Sequence, residues 1–342
     1  MRVAIVGATG AVGQELLELL AERSFPLTAL RLFASPRSAG QTRLFAGQTL
    51  TLEALPEDGD LGADVVFSSA GGSVSKVHAW RWAQHGAVVI DNTSAWRLDP
   101  RVPLVVPEVN GAAVHEHQGL IANPNCSTII ALMALAPLHA AFGLRRATVA
   151  TYQAVSGAGQ AGIAELTEQT RAVLAGERAE PRAFVHPIAF NLFSHDSDVG
   201  PDGYNLEETK LLLESRKILA APDLQVSATC VRVPVLRAHA EAIHAEFALP
   251  VTAAEARAVL AHAPGLRLVD DRASNTFPMP IEASGRDEVL VGRVRNDASR
   301  PGGVVLFVVG DQIRKGAALN AVQIAETLGG NSDDGHVAHL RA

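Results

Sequence analysis

The sequence has few cysteines, few aromatic residues and no long apolar run. Only two of its 342 residues are cysteine and 5% are aromatic, which excludes a disulfide-rich secreted scaffold. No Cys/His cluster has the spacing of a zinc site, so no metal is expected. No run approaches the roughly 18 apolar residues that a membrane helix needs, and the start lacks the long apolar stretch of a signal peptide. We therefore expect a soluble, cytoplasmic protein with no membrane partner.

The chain also lacks an excess of basic residues. Lysine and arginine total 29 against 36 aspartates and glutamates, a formal net charge of −7. Nucleic-acid-binding domains usually present a basic stripe, so no nucleic-acid partner is expected. With 48% hydrophobic and 19% charged residues, the chain can bury a sizeable core, and its length suits about two domains.

The first half alternates short apolar runs with helical patterns. The runs are rich in valine, isoleucine and leucine and cover residues 2–6, 27–33, 64–68, 87–91, 104–106 and 120–122, with an amphipathic helix over residues 12–23. Runs without strict polar alternation are typical of strands buried on both faces of a parallel sheet. The pattern predicts a doubly wound α/β domain of the Rossmann type.

From about Arg145 the pattern changes. Longer strand-like segments appear at residues 146–156 and 226–235, and shorter ones at residues 243–249, 288–294 and 303–309. Helical patterns cover residues 162–174, 253–261 and 315–328. We predict a second, α+β domain with a larger and more antiparallel sheet, and a flexible tail over residues 331–342.

A glycine-rich segment follows the first predicted strand. Residues 7–13 read GATGAVG, with the spacing G-x-x-G-x-x-G rather than the commoner G-x-G-x-x-G. Glycines permit a tight turn and close approach of the backbone, and a pyrophosphate then lies at the start of the next helix. The alternative is a purely structural turn. We predict a dinucleotide site that comprises Gly7, Thr9, Gly10, Ala11, Val12 and Gly13.

The segment after the second predicted strand indicates the cofactor. NAD sites usually place an acidic residue there for the ribose hydroxyls, but residues 32–40 read LFASPRSAG and contain none. Arg37, flanked by Ser35 and Ser38, suits a 2′-phosphate instead, although a solvated loop arginine would look the same. The sequence favours NADP over NAD.

Cys126 lies in a segment that predicts a helix N-terminus. Residues 123–128 read NPNCST and precede an apolar run; Asn125 or Ser127 can cap the helix. A helix N-terminus favours the thiolate, the nucleophilic form of cysteine, whereas Cys230 fits the ordinary pattern of a small buried residue. A thiolate beside a nicotinamide predicts aldehyde chemistry, in which a thiohemiacetal loses hydride and becomes a thioester.

Together these motifs resemble the aspartate-semialdehyde dehydrogenases over about residues 1–330. The resemblance includes GATGAVG, SPRSAG at 35–40, DNTSAWR at 91–97, NPNCST, YQAVSGAG at 152–159, NLEETK at 205–210, CVRVPVLRAHAEA at 230–242 and RKGAALNAVQIAE at 314–326. It implies a homodimer with an NADP-binding domain at residues 1–127, rejoined by a C-terminal helix at 313–330. It also implies a catalytic and dimerisation domain at residues 128–312.

The resemblance also implies a role for individual residues. Cys126 corresponds to the nucleophile, His239 to the general acid/base, and Gln153 to the group that positions the acyl carbon. Arg232 and Glu207 match the residues that bind the substrate carboxylate and ammonium. The remaining matches are Arg97 and Lys210 for phosphate, and Ser156, Gly157 and Gln312 for the nicotinamide half of the cofactor.

Several assignments stay open at the level of sequence. His186, His195 and His244 compete with His239, and Arg237 competes with Arg232. Arg97 could be an ordinary surface cation, and Lys210 a helix partner of a carboxylate. Arg232 and His239 are also seven residues apart, so one straight strand would place them on opposite faces. Both reach one site only if the chain bends between them, for example at Pro234. Backbone amides near Asn125 and Cys126 are candidates for stabilising an oxyanion.

The resemblance implies NADPH-dependent reduction of L-4-aspartyl phosphate to L-aspartate 4-semialdehyde and phosphate through a Cys126 acyl-thioester. This reaction serves lysine (through diaminopimelate), methionine and threonine biosynthesis. Two other functions remain possible at this stage. One is an N-acetyl-γ-glutamyl-phosphate reductase, which would not need Glu207 for a free ammonium. The other is an NADP-binding sensor without chemistry, because fold does not determine function.

Overall fold

A computed structural model describes residues 1–330, and the predicted α/β fold with two sheets is confirmed. The chain divides into two compact units. Of the described residues, the first unit comprises Met1–Pro124 together with residues 317–330, and the second comprises Asn125–Gly316. The predicted tail at residues 331–342 lies outside the described residues. Within residues 1–330, no helix combines the length and apolar character needed to cross a membrane.

The first unit contains short strands and helices in alternation. In chain order they are β1 (Arg2–Val6), α1 (Ala11–Glu22), β2 (Ala29–Ala34), β3 (Thr42–Phe45), β4 (Gln48–Ala54), β5 (Val65–Ser68), α2 (Gly72–Gln84), β6 (Val88–Asp91), α3 (Pro107–Asn110) and β7 (Leu120–Ala122). The sheet order is β3-β4-β2-β1-β5-β6-β7. All pairs are parallel except the β3–β4 hairpin.

Two features of this unit differ from the sequence-based prediction. Residues 104–106 do not form a strand, because Leu104 makes only an isolated bridge with Ala122. The hairpin of β3 and β4 was not predicted, since its residues are largely exposed and polar. The central strands behave as expected: Val3 to Val6 in β1 are all buried, as in a sheet covered on both faces.

The second unit is larger. It contains α4 (Cys126–Phe142), β8 (Leu144–Gln153), α5 (Gly159–Leu174), β9 (Phe193–Ser194), α6 (Leu206–Ile218), β10 (Gln225–Arg232), β11 (His239–Phe247), α7 (Ala253–Leu260), β12 (Leu266–Leu268), α8 (Pro280–Ala283), β13 (Val289–Asn296) and β14 (Val304–Gly310). Its sheet has the order β12-β13-β14-β11-β8-β10-β9. A π-helical turn at Arg314–Ala318 then leads into α9 (Leu319–Leu328), so the regular helix begins later than the predicted residue 315.

The strand bounds of this sheet correct three predictions. β8 stops at Gln153 rather than at residue 156, because a 3₁₀ turn follows at Val155–Ala158. β10 stops at Arg232 rather than at residue 235, and β11 starts at His239 rather than at residue 243. Strand β8 lies between β10 and β11, so Arg232 pairs with Gln153 on one side and Ala240 pairs with Tyr152 on the other.

Residues 233–238 carry the chain across the carboxyl end of β8. The backbone N–H of Val233 donates to the Gln153 carbonyl at 3.0 Å, and that of Val155 donates to the Val235 carbonyl at 2.9 Å. Arg232 and His239 are therefore on two different strands and meet at the end of the strand between them. This crossing removes the geometric difficulty that their spacing of seven residues raised.

Candidate active site

The glycine-rich segment has the backbone geometry of an anion site in the first unit. Gly7 has φ of +92°, and a Cβ on it would lie 2.8 Å from the Ser69 carbonyl carbon. Helix α1 starts at Ala11 with Gly10 as its N-cap, and no side chain caps it. The first N–H groups of a helix have no partner within the helix and favour an anion. These features fit a bound pyrophosphate.

The segment after β2 fits the 2′-phosphate of NADP. Strand β2 ends at Ala34, and residues 36–40 form a turn in which Arg37 is exposed. The N–H of Ser38 donates to the Ser35 carbonyl at 2.8 Å and closes this turn. An exposed guanidinium between two hydroxyl-bearing residues can bind a phosphate group.

Cys126 is the first residue of α4, as predicted from its capping context. The Asn125 side-chain oxygen accepts a hydrogen bond from the Thr128 N–H at 3.2 Å and caps the helix. Cys126 is half-buried and is not part of a disulfide. The backbone N–H of Asn125 is not available for an oxyanion, because it donates to the Glu214 carboxylate at 2.6 Å. That part of the oxyanion prediction is wrong.

Three of the predicted residues meet at the carboxyl end of β8. Gln153, His239 and Arg232 are all buried. The Nε2 atoms of Gln153 and His239 are 3.5 Å apart, and Arg232 Nη1 donates to the Ala154 carbonyl at 2.8 Å. Gln153 is oriented by Thr151, whose hydroxyl donates to its Oε1 at 3.0 Å.

The protonation of His239 follows from its backbone contact. The N–H of Ala154 donates to His239 Nδ1 at 3.0 Å, so the neutral ring carries its proton on Nε2. Burial, reinforced by the charge of Arg232, lowers the pKa of His239 to about 3. The ring is therefore neutral at pH 7 and presents a hydrogen-bond donor.

The Arg232 guanidinium is held in place but keeps one donor unused. Its Nη2 donates to His195 Nε2 at 2.9 Å and lies 3.8 Å from an Asp196 carboxylate oxygen. Its Nε is buried and has no hydrogen-bond partner among the described residues. A buried donor without a partner is costly, and a substrate carboxylate would satisfy it.

Glu207 and Lys210 form an ion pair at the start of α6. Lys210 Nζ lies 3.0 Å from Glu207 Oε2, and Gln153 Nε2 donates to Glu207 Oε1 at 3.2 Å. Burial opposes ionisation of Glu207, but the charge of Lys210 and the hydrogen bonds from Asn125 and Lys210 outweigh it and lower the pKa to about 2. Glu207 is thus an anion at neutral pH, as binding an ammonium requires.

Ser156 and Gln312 contact each other beside the residue that precedes His239. Gln312 Nε2 donates to Ser156 Oγ, and Gln312 Oε1 accepts from the Ala238 N–H at 2.8 Å. Ala238 has φ of +72°, a conformation that glycine adopts more readily. This network holds the backbone just before His239; the predicted nicotinamide contacts of both residues stay predictions.

Gly157 lies against Arg232 and His239. A Cβ on Gly157 would lie 3.0 Å from Arg232 Nη1, 3.4 Å from His239 Cε1 and 3.5 Å from His239 Nε2. The absent side chain leaves room next to both groups.

Replacing Gly157 with alanine is expected to lower kcat/KM about 10- to 100-fold, because the methyl group occupies this space and displaces groups that need close alignment. Its φ is not positive, so the backbone tolerates alanine. Gly111→Ala is the matched control, since a Cβ there meets nothing within 4 Å. Steady-state kinetics give kcat/KM for Gly157→Ala and Gly111→Ala. Equal values for the two variants would contradict the prediction.

Arg97 is a buried residue of the first unit, not a surface cation. Its Nε donates to the Asn123 carbonyl at 2.9 Å and its Nη2 to the Asn92 carbonyl at 3.0 Å. These bonds orient the guanidinium, and its phosphate-binding role stays a prediction. Among residues 1–330, no group of three or more histidine, cysteine or acidic side chains is arranged to hold a metal ion.

The competing residues have other contacts. His195 binds Arg232, as described above, and burial lowers its pKa. His186 is exposed and stacks edge-on with Phe193, and His244 Nδ1 pairs with Asp297 at 2.9 Å. Arg237 pairs with Asp311 at 2.5 Å. Of the four histidines, only His239 meets Gln153.

Two buried carboxyl groups near this site were not predicted. Glu214 lies two helical turns after Glu207 on α6 and contacts Asn125; their seven-residue spacing is a signal in the sequence that could have identified it. Glu241 lies two residues after His239 on β11, and neither of its oxygens has a hydrogen-bond partner among the described residues. Burial, followed by the charge of Glu207, raises the pKa of Glu241 well above the usual carboxyl value and favours its neutral form.

Comparison with known proteins identifies relatives of both halves of the chain. The family model described as "Semialdehyde dehydrogenase, NAD binding domain" matches residues 2–117. The model described as "Semialdehyde dehydrogenase, dimerisation domain" matches residues 135–315. An aspartate-semialdehyde dehydrogenase from Synechocystis sp. is 54% identical over 332 residues, which cover 96% of this chain and 97% of that protein.

Solved structures agree in fold over the same range. Aspartate semialdehyde dehydrogenase II of Vibrio cholerae, complexed with ASA, has a TM-score of 0.93 at 47% identity and covers 96% of this chain and 98% of that one. Aspartate semialdehyde dehydrogenase of Candida albicans, with NADP, has a TM-score of 0.73 at 25% identity, with coverage of 96% and 98%.

Proposed function

The chain belongs to the aspartate-semialdehyde dehydrogenase family, and from this premise we propose how its residues perform the reaction. It is an oxidoreductase of amino-acid biosynthesis that converts L-4-aspartyl phosphate and NADPH to L-aspartate 4-semialdehyde, phosphate and NADP⁺, and reverses this reaction. The relatives favour this function over the two alternatives, the N-acetyl-γ-glutamyl-phosphate reductase and the NADP-binding sensor. The observation that carries the residue assignments is that Gln153, which contacts His239, also bonds Glu207, which in turn bonds the residue before Cys126.

The cofactor is NADP, which supplies or accepts the hydride when bound. The N-terminus of α1 would hold its pyrophosphate, and Arg37 with Ser35 and Ser38 would hold its 2′-phosphate. The absence of an acidic residue from residues 32–40 supports this preference, because such a residue would repel the extra phosphate.

Arg232 and Glu207 would bind the two charged groups of the substrate. The buried Arg232 Nε is the donor for the α-carboxylate, and the Glu207 carboxylate, which the low pKa keeps ionised, accepts the α-ammonium. Their opposite charges at the end of β8 would orient an amino acid in one direction only. Gln153 lies between Glu207 and His239 and is placed to contact the acyl group.

Cys126 would form and break the covalent bond. Its thiolate attacks the acyl carbon of aspartyl phosphate, the carbon–oxygen bond to phosphate breaks, and a thioester forms. Hydride addition to this carbon gives a thiohemiacetal oxyanion. Collapse of this oxyanion breaks the carbon–sulfur bond, releases the aldehyde and restores the thiolate.

His239 would act as a neutral donor at the acyl oxygen. Its Nδ1 is occupied by the Ala154 N–H, so Nε2–H is the group free to stabilise negative charge on that oxygen. Because the ring is uncharged, it stabilises this oxygen through a hydrogen bond and does not remove a proton. Arg97 and Lys210 are proposed to bind the leaving phosphate, with Lys210 shared between Glu207 and the anion.

A homodimer and a cytoplasmic location complete the proposal. The match to a dimerisation domain supports pairing through the second unit. Helix α4 packs on β8, β11 and β14, whereas Tyr152 is exposed on β8 with its ring centroid 6.5 Å from that of Phe307; this aromatic face of the sheet is the proposed contact with a second copy. Two cysteines that form no disulfide are consistent with a reducing compartment.

The test of the function is a spectrophotometric assay. Purified protein is mixed with NADP⁺ and L-aspartate 4-semialdehyde, with and without phosphate, and the absorbance of reduced nicotinamide is followed. We expect NADPH to form only with phosphate present, because phosphate cleaves the thioester. Formation of NADPH from N-acetylglutamate semialdehyde instead, or from neither aldehyde, would contradict the proposal.

A further inference from the structure

Helix α6 presents two buried glutamates to the same residue. Glu207 and Glu214 are separated by two helical turns and therefore lie on one face of the helix. Glu207 Oε1 accepts a hydrogen bond from Asn125 Nδ2 at 2.8 Å, and Glu214 Oε2 accepts one from the Asn125 backbone N–H at 2.6 Å. Both bonds are buried, so water does not compete for them.

These contacts fix the residue that immediately precedes Cys126. The third polar group of Asn125, its Oδ1, accepts from the Thr128 N–H at 3.2 Å. Any rotation of the Asn125 backbone away from its φ of −61° and ψ of 143° would break at least one of the three bonds. The direction of the Cys126 side chain is therefore set through Asn125 by α6.

The backbone at Gly316 limits Cys126 from another side. A Cβ on Gly316 would lie 2.9 Å from Cys126 Cβ and 3.3 Å from its Cα. The N–H of Gly316 donates to the Asp311 carbonyl at 2.9 Å, which holds this segment in place. A rotation about Asn125 would thus break its hydrogen bonds, and a shift of Cys126 toward Gly316 would bring it against that backbone.

We propose that Glu214 is a positioning residue for the nucleophile: by holding the Asn125 N–H, it aims Cys126 Sγ at the acyl carbon of the substrate. The two carboxylates of α6 then have different tasks. Glu207 binds the substrate ammonium and affects chiefly KM, whereas Glu214 affects chiefly kcat. This inference rests on the proposed role of Cys126.

Two substitutions of Glu214 separate the reach of its side chain from its charge. Glu214→Asp keeps the charge but withdraws the oxygen from Asn125, and Glu214→Gln keeps the reach and an acceptor oxygen but loses the charge. We expect Glu214→Asp to lower kcat about 10- to 100-fold, as misplacement by about 1 Å does, with KM for aspartate semialdehyde changed less than about threefold. Glu214→Gln is expected to retain kcat within about threefold.

The rate of iodoacetamide labelling of Cys126 measures how Glu214 affects the Cys126 thiol, and it does so without turnover. Burial raises the pKa of the Cys230 thiol, so labelling reports Cys126. We expect labelling to slow in Glu214→Asp and not in Glu214→Gln. The matched controls are Glu208→Asp and Glu208→Gln on the same helix. Glu208 accepts hydrogen bonds from Asn205 N at 2.9 Å and Cys230 N at 3.0 Å, and these bonds do not involve Asn125. These controls should leave kcat and labelling unchanged.

The inference is overturned if Glu214→Gln lowers kcat as much as Glu214→Asp does. Loss of the charge alone would then lower kcat although the reach of the side chain is kept. It is also overturned if kcat falls only together with Tm and equally in the Glu208 variants. Glu214→Ala serves as the short side chain if Glu214→Asp does not fold. Full turnover by Cys126→Ala would refute the assignment of Cys126 as the nucleophile. The labelling rates of the Glu214 variants test the positioning role of Glu214 separately, because they are measured without turnover.

Discussion

The Cys126→Ala variant is expected to lose phosphate-dependent NADPH formation by about a thousandfold or more, because it removes the atom that forms the thioester. Cys126 begins α4, where Asn125 caps the helix and the first N–H groups favour a thiolate. The assay is kcat with aspartate semialdehyde, NADP⁺ and saturating phosphate. Binding of NADP⁺, followed by fluorescence quenching or calorimetry, should remain, since the predicted cofactor residues are unchanged.

The matched control for this prediction is Cys230→Ala. Cys230 is fully buried on β10, and its thiol is kept protonated by burial. Removal of this sulfur should lower the free energy of unfolding by about 1 kcal/mol and leave kcat near the parent value. Retention by Cys126→Ala of more than a tenth of the parent kcat would contradict a covalent role for Cys126.

The Arg232→Lys variant is expected to raise KM for aspartate semialdehyde about 30- to 150-fold, which corresponds to the roughly 2–3 kcal/mol of a charged hydrogen bond. The guanidinium bonds the Ala154 carbonyl and His195 and still presents Nε. A lysine ammonium has no such planar set of donors, so it cannot keep these bonds and also bind a carboxylate.

A substrate without the carboxylate tests the specific contact. 3-Aminopropanal is aspartate semialdehyde without that group. The kcat/KM for aspartate semialdehyde divided by the kcat/KM for 3-aminopropanal therefore measures carboxylate recognition. In Arg232→Lys this ratio should fall by the same factor as kcat/KM for aspartate semialdehyde. Arg237→Lys is the control, because Arg237 pairs with Asp311, and it should leave the ratio unchanged. An unchanged ratio in Arg232→Lys would assign carboxylate binding elsewhere.

The glycine turn before α1 and the position of Cys126 at the start of α4 could be predicted because their signals are local. The turn from β1 to α1 requires glycine at particular positions within seven residues, and the start of α4 is marked by a capping residue within three. Strand runs buried on both faces identified the parallel sheet for the same reason. The exposed β3–β4 hairpin carried no such apolar signal and was missed.

The choice among histidines and arginines could not be made locally. His239 and Arg232 become neighbours only because β8 is inserted between β10 and β11, and the chain crosses its end at residues 233–238. Periodicity treats the two as members of one strand and places them on opposite faces. The family resemblance also points to His239 and Arg232, but it gives no geometric reason for this choice.

Reasoning from the sequence alone reaches a two-domain α/β protein with a glycine turn for a dinucleotide, a cysteine at a helix start and no acidic residue after β2. Each of these depends on residues close together in the chain, where backbone geometry links spacing directly to structure. Two further features became visible in the folded chain: Ala154 leaves the His239 proton on Nε2, and Glu214 holds Asn125. A third such feature is the space that Gly157 leaves beside Arg232. These contacts join residues that are distant in sequence, and burial then determines their charge and direction.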